Sequence, residues 1–421
     1  MHITIYLGDH LGDIVNATTI EKGNPGIGGT QYCMLLLAHY LKKYGDYEVS
    51  VIGHREYILE PGIELITDCD RTCVVQRSEE IGTDILIVKN FVDKQFEKAI
   101  KNSVLKVIVW SHNYIYSDFC RFISTASQVK ANIFVGKQQY DSYIDDDVIE
   151  KSLTIYNMYP DYFKLKEKQK KRKIVVFMGS ISEGKGFYEM ARIWHGVVRD
   201  VPDAELIVLG NGCLYGTQKL GPLGIAEEHY ENKLRPLICD KEGKILPSIH
   251  FKGLVGEEKN AIFQEACIGV INPSKNRETF GMGILEMASV GLPVVTIGKT
   301  GYFDTIKNNE TGILCGNLCE LQRSIVASLQ SMNEMKDMGS NAKVFIRKFS
   351  PEVIIESWVS LLECVYYDTL KIEYNDPIPP YSSQFKWLRI LNRFLRLNCK
   401  IKIIPSVVQL ETFVQKVRRL F

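Results

Sequence analysis

Short apolar runs alternate with longer amphipathic stretches along the chain. HITIYL, EVSVIG, DILIVK and VLKVIVW occur before residue 111, and KIVVFMG, AELIVLG, SIHFKG, CIGVINP and LPVVTIG follow residue 172. Runs rich in Ile and Val and bounded by Gly or polar turns predict strands buried on both faces, the pattern of parallel sheets in α/β layers. Between the two series lies KLKEKQKKRK, cationic and without apolar periodicity, so residues 166–173 read as a linker. In the second half, GSISEGKGFYEMARIWHGVV reads as a turn entering an amphipathic helix and GEEKNAIFQEA as another helix. MGILEMASVGLP reads as a helix closed by Gly291 at the position after its cap, with Pro293 beyond.

At 421 residues the chain exceeds what one core supports, which predicts two domains. The composition, 45% apolar and 24% charged, is that of an ordinary globular protein, and a net charge of +1 points to no nucleic-acid partner. That balance hides an asymmetry. Residues 383–421 carry nine Lys/Arg and one Glu, net +8, leaving 42 Lys/Arg against 49 Asp/Glu, net −7, elsewhere. Eleven cysteines without a short-spaced framework read as reduced thiols of a cytoplasmic protein. No apolar run is long enough to cross a bilayer.

RETFGMGILEMASVGLPVV, 277–295, raises the first chemical question. Glu278 and Glu286 stand eight positions apart, and Glu286 is surrounded by Ile284, Leu285, Met287, Ala288 and Val290. A carboxylate on such a helix needs a partner or a ligand, since burying it alone is costly; the bland alternative is a thin solvent stripe. Continuous helix would separate the two by about 12 Å, beyond the spacing of a hydrolase acid/base pair. Gly281 and Gly283 at the helix start suit an anion held by bare backbone N–H groups, or equally tight packing. MGSISEGKGF places Gly179, Gly184 and Lys185 in the G-x4-G-K spacing of a phosphate loop. Gly186 follows where a magnesium-binding hydroxyl belongs, which weakens a P-loop reading and leaves a lysine in a Gly-rich turn. KVIVWSHN sets His112 after a strand, where a neutral imidazole can donate to a sugar hydroxyl or phosphate or serve only structure. NPGIGGTQ places Gly28 and Gly29 before a helix, off the dinucleotide spacing. No metal site is read from the sequence.

In this order, the pieces resemble glycosyltransferase family 4. PSKNRETFGMGILEMASVGLPVV is similar to that family's E-x7-E region, GSISEGKGF to its Lys-Gly diphosphate loop, GIGGTQ to its glycine loop and SHN to its N-domain histidine. TIYNMYP resembles the stretch before its linker, and FSPEVIIESWVSLL its late helix returning to the N-domain. The resemblance covers residues 1 to about 367. It implies an α/β, GT-B fold of two facing Rossmann-like domains with parallel sheets: an acceptor-side domain at 1–165, a nucleotide-sugar domain at 174–350, and a helix at 351–367 crossing back.

It further implies a retaining, metal-independent enzyme of hexosyltransferase type that moves a sugar from a nucleotide onto a glycan or lipid-linked acceptor in surface polysaccharide biosynthesis. Glu278, Lys185 and His112 would be catalytic. Glu278 and the backbone of Phe280, Gly281 and Met282 would hold the donor sugar, and Glu286 the ribose. Lys185 and Gly283 would take the diphosphate with Gly179, faced by His112, Gly28 and Gly29, and the base would rest by Asn211 and Leu254. UDP-sugars rank ahead of GDP- and ADP-sugars, and no cofactor is implied. Ser180 stands where the family usually has an arginine, for which Arg277 is the candidate substitute, and YNMYP lacks the usual Asn-Gly. The alternatives are a P-loop NTPase and a non-catalytic nucleotide-sugar binding protein.

Residues 368–421 lie beyond the resemblance. In QFKWLRILNRFLRL, Lys386, Arg389, Arg393 and Arg396 recur at helical spacing opposite Leu388, Leu391 and Leu395, with Trp387 and Phe394 at the borders. This predicts a basic amphipathic tail at 385–421, suited to an anionic membrane on the inner face of the cell or packed on the N-domain with its basic face solvated.

Overall fold

The computed structural model describes the chain except residues 11, 68–70, 92, 160–171, 213–218, 257, 374–384, 402 and 419–421, and the side chains of 397 and 398. Most of the expected linker, 166–171, lies outside the described residues. The chain forms two compact units, Met1–Pro160 with Phe349–Phe421, and Asp161–Lys348.

The first unit holds a seven-stranded parallel sheet: β1 His2–Tyr6, β2 Glu48–Ile52, β3 Ile63–Ile66, β4 Ile85–Lys89, β5 Lys106–Ser111, β6 Val129–Phe134 and β7 Ser152–Thr154, in the order β3-β2-β1-β4-β5-β6-β7. The second holds β8 Ile174–Met178, β9 Glu205–Leu209, β10 Ile249–Gly253, β11 Ile268–Val270, β12 Val294–Ile297 and β13 Gly312–Cys315, in the order β10-β9-β8-β11-β12-β13. Each sheet runs outward from its first strand in both directions, the doubly wound Rossmann order. Each therefore has a switch point, between β1 and β4 in one unit and β8 and β11 in the other. Registers are parallel throughout: Ile3 pairs with Val49 and Ile85, and Val175 with Leu206 and Ile268.

Every apolar run singled out in the sequence forms a strand. The central strands are buried along nearly their whole length, because helices cover both faces of a parallel sheet. Strand β6, VKANIF, escaped that reading because it carries Asn132 at a fully buried position. The amide accepts from Ser111 Oγ at 2.7 Å on β5 and donates to Ser152 Oγ at 2.9 Å on β7, a polar ladder across three strands.

The helices that matter to the site are α1 Gly29–Tyr44, α2 Phe187–Asp200, α3 Lys259–Glu265 and α4 Met282–Ser289, followed by α5 Pro351–Tyr366, α6 Lys386–Arg393 and α7 Val407–Arg418. Helix α4 ends as its sequence predicts. Gly291 takes φ 72°, its N–H donates to Ala288 O, and Leu292 N–H donates to Met287 O, a Schellman closure. Helix α5, with Pro351 in its first turn, belongs to the first unit, where Trp358 is fully buried 4.6 Å from the Trp110 ring.

The tail is helical and packs on the first unit, but with its faces reversed from the expectation. Two of its arginines point inward: Arg389 is fully buried 3.3 Å from Asp145 and 3.0 Å from Glu411, and Arg396 meets Asp147 at 3.0 Å. Asn392 Nδ2 and Val407 N–H donate to the other oxygen of Asp145 at 2.9 and 2.7 Å, and Ser406 donates to Asp146. Burial raises the Asp146 carboxyl above its usual value, against the pull of that hydroxyl. The apolar side of α6 faces outward, with Trp387 74% exposed. A charged surface at Asp145–Asp147 decides the orientation, because buried carboxylates need partners more than these apolar side chains need cover.

Candidate functional site

In the second unit, five loops leave the carboxyl ends of β8 to β12, and the first four carry Gly179 and Lys185, Asn211, Leu254, and Glu278 with Phe280. The loops after β8 and β11 flank the switch point. They are tied together by Ser274 Oγ donating to Gly184 O at 2.9 Å and Asn276 Nδ2 donating to the same carbonyl at 3.2 Å. Gly186, the residue that denies a P-loop its hydroxyl, takes φ 86° ahead of α2, and a Cβ there would lie 2.6 Å from Pro273. A serine or threonine is barred by both backbone and space.

This lock brings Lys185 Nζ within 3.8 Å of Glu278 Oε1. Asn272 Nδ2 donates to that same oxygen at 2.6 Å, while Asn272 Oδ1 accepts from Ser274 Oγ at 2.6 Å. Asn272 takes φ 28°, a conformation that few non-glycine residues adopt, here held by both ends of its amide. The backbone of Glu278 is fixed from β12: Thr300 Oγ1 and Gly301 N–H donate to its carbonyl at 2.6 and 3.0 Å. Glu278 therefore precedes α4 in a loop, and the continuous-helix separation from Glu286 does not apply.

Gly281 caps α4 with φ 92° and no side-chain hydrogen bond, so the first N–H groups, from Met282 and Gly283, keep the donor character of a helix start. Phe280 is buried beneath them. A Cβ on Gly283 would lie 2.6 Å from Met178 and 2.7 Å from Ile271, so tight packing requires glycine there as well.

Glu286 is not in bulk solvent. Lys259 Nζ, on the first residue of α3, lies 2.6 Å from its Oε2, and the two side chains are 10% and 12% exposed. The contact is a charge pair rather than a directed hydrogen bond, since that oxygen lacks hydrogen-bond geometry. Lys259 was not singled out in the sequence because nothing in GEEKNAIFQEA points at α4.

Lys299, after β12, was also missed. Its Nζ donates to Ser274 O at 2.8 Å and stands 5.2 Å from the Tyr302 ring centre. Burial pushes its ammonium down to about 8, the Glu278 and Glu189 carboxylates pull it back up, and the Lys185 charge adds to the fall. Lys185, Glu278 and Lys299 therefore form one electrostatic group. Ser180 is buried, with Oγ 3.1 Å from Ser182 Oγ and donating to Asn211 O at 3.3 Å. Asn211 O also accepts from Ile181 N–H at 3.0 Å, Gly179 N–H donates to Leu209 O, and Gly210 N–H reaches Gly253 O at 2.8 Å, beside the exposed Leu254. Arg277 is half-exposed beside Glu278.

His112, Gly28 and Gly29 lie in the other unit, at the carboxyl end of its own sheet. Gly28 and Gly29 open α1. His112 is buried against Trp110, ring centres 4.5 Å apart; burial, helped by the charge of Lys89, lowers it to about 3, so the imidazole is neutral at physiological pH.

Among the described residues no cluster of His, Cys, Asp and Glu could hold a metal. Asp145 and Asp147 have an Asp-x-Asp spacing that the sequence reading passed over, and both engage the tail. Among the described residues, no helix is long and apolar enough to cross a membrane. A groove beside Trp194, His195, Pro202 and His250 opens at the amino ends of β9 and β10, the wrong end for ligands of a doubly wound sheet.

Residues 159–345 match the family model described as Glycosyl transferases group 1. An uncharacterized glycosyltransferase of Haemophilus influenzae is 22% identical over 374 residues, 80% of this chain and 96% of that protein. Sucrose-phosphate synthase (tll1590) from Thermosynechococcus elongatus superimposes with TM-score 0.66 at 14% identity, over 87% of this chain and all of that one. Anabaena Alr3699/HepE, solved in complex with UDP-glucose, does so with TM-score 0.61 at 16% identity, over 86% of this chain and 99% of its own. The two doubly wound units are thus those of a GT-B fold, and the second of them carries the match to glycosyl transferases group 1.

Proposed function

We propose that the protein is a retaining glycosyltransferase that needs no metal and moves a sugar from a nucleotide donor, a UDP-sugar first, onto a glycan or lipid-linked acceptor. One observation carries the reading: at the switch point of the second unit, Lys185 meets Glu278 beside the uncapped start of α4. In the reaction the bond between the anomeric carbon and the phosphate oxygen breaks, and one to the acceptor oxygen forms on the same face. The acceptor proton passes to the departing phosphate. Lys185, Lys299 and the α4 N–H groups stabilise the charge that develops on the diphosphate, the work a metal does elsewhere. Glu278, aimed by Asn272, accepts from sugar hydroxyls, and Glu286, pinned by Lys259, has lone pairs left for the ribose. Lys299 is a second cation, beside the candidate Arg277, that offsets the serine at 180. His112 enters only as a neutral group. The surface-polysaccharide setting rests on the motif resemblance alone.

Each rival meets a specific obstacle. A P-loop NTPase needs a hydroxyl where Gly186 cannot be replaced. A pure binding protein is separated by experiment. UDP-, GDP- and ADP-sugars are screened for thermal protection, where a ligand at a hundred times its dissociation constant adds about 2.7 kcal/mol. Glu278→Gln is then assayed for transfer with the protecting donor. Loss of transfer with donor protection retained supports an enzyme. Protection by a nucleotide-sugar without transfer to any glycan or lipid acceptor makes it a binding protein.

The depressed Lys299 gives the site a pH signature. Its charge is present below pH 8 and is lost as pH rises through about 8. A diphosphate that favours the charged form is therefore expected to bind about tenfold more weakly at pH 9 than at pH 7 by linkage. Titration calorimetry should show that slope in the native protein and a flat profile in Lys299→Met. A flat profile in the native protein removes Lys299 from the site.

A further inference from the structure

The tail that docks by its arginines leaves its apolar side uncovered. On α6 and the residue that closes it, Trp387, Leu388, Leu391 and Phe394 recur at helical spacing and are all exposed. On α7, Leu410, Phe413 and Val414 form a second exposed stripe, and between the helices Ile403 is 91% exposed. Amphipathic helices of a globular protein normally turn such stripes inward. Here the inward side is committed to Asp145, Asp147 and Glu411, so the stripes are held outward on a fixed support.

The geometry points to a membrane anchor: we propose that the exposed stripes of α6 and α7 insert into the interface of an anionic lipid bilayer. Three features choose this occupant. Trp and Phe among Leu, Val and Ile are the side chains that partition at the headgroup boundary, where a shallow helix lies in the plane of the membrane. Lys386, Lys400 and Arg418 bracket the stripes in the sequence, Lys400 and Arg418 exposed and Lys386 partly so, and anionic headgroups complement them. A second copy of this chain docked on the same face would instead bring these cations against their own counterparts. The attraction differs from the one the sequence suggested: apolar insertion leads, and the charge left after Arg389 and Arg396 are paired assists.

This inference does not depend on sugar transfer, because vesicle partition needs no donor. The full chain is floated with phosphatidylcholine vesicles with and without phosphatidylglycerol, at low and high salt. Trp110, Trp194 and Trp358 are fully buried, so a blue shift of emission on adding vesicles reports Trp387. The expected result is flotation with phosphatidylglycerol vesicles that persists in part at high salt, a blue shift absent from Trp387→Phe, and at least about tenfold weaker partition of Trp387→Ser/Leu391→Ser/Phe394→Ser with an unchanged melting temperature, as these side chains are exposed. Three outcomes overturn it: no partition of the native chain, partition unaffected by the triple substitution or wholly abolished by salt, or a dimer of the native chain that the triple substitution dissociates.

Discussion

Lys185→Ala is expected to slow sugar transfer by roughly 10²–10³-fold, the loss typical of removing one preorganised group that stabilises developing charge. Lys185 stands in the loop between β8 and α2 with its side chain 43% exposed, and its ammonium lies 3.8 Å from Glu278. Truncating a half-exposed side chain leaves the fold in place, so thermal melts of the apo protein should barely move. Lys185→Arg keeps the charge but not the compact ammonium, and is expected to recover part of the rate. Initial rates at saturating donor decide the matter. Lys299, whose Nζ donates to Ser274 O, adds a second charge from its own position and does not take the place of Lys185, so a variant within tenfold of the native rate would mean the diphosphate lies elsewhere.

The largest stability effect is expected away from the site, at Arg389→Ala. The guanidinium is fully buried between Asp145 and Glu411 and also donates to Ser142 O. Removing one partner of a buried pair typically costs about 3–5 kcal/mol, because the other charge is left uncompensated. Asn392 and Val407 still hold Asp145, which places this case at about 3 kcal/mol. That cost falls on the docking of the tail, so the readout is limited proteolysis of residues beyond 385, whose rate follows the population of the released form. It should rise by about a hundredfold. Adding Asp145→Asn should return part of the loss, because the residual charge was its cause. Unchanged proteolysis would mean that apolar contacts alone seat the tail.

The architecture was legible because parallel strands buried on both faces leave continuous Ile/Val runs, and all nine runs became strands. What escaped were strands whose buried positions are polar or whose edges are wet. Asn132 in β6 looks like a break until Ser111 and Ser152 are seen on either side. At the site, Glu278, Glu286 and Lys185 were readable from spacing. Lys259, Asn272 and Lys299 were not, because each matters only through a neighbour on another strand's loop, which the strand order supplies. The tail shows the deeper limit. Helical periodicity identifies two faces, but which one turns inward depends on the surface waiting for it. Here Asp145–Asp147 reversed the usual outcome.

The first unit is interrupted: it closes only with residues from 349 onward, after the whole of the second has been made. During synthesis the seven strands of its sheet emerge early, yet Trp110 must wait for Trp358, and the acidic run at Asp145–Asp147 for its arginines. The second unit, uninterrupted in sequence, has no such delay. The nascent chain should therefore carry a completed later half beside an unfinished earlier one, and chaperone dependence should concentrate on that earlier half until the final helices leave the ribosome.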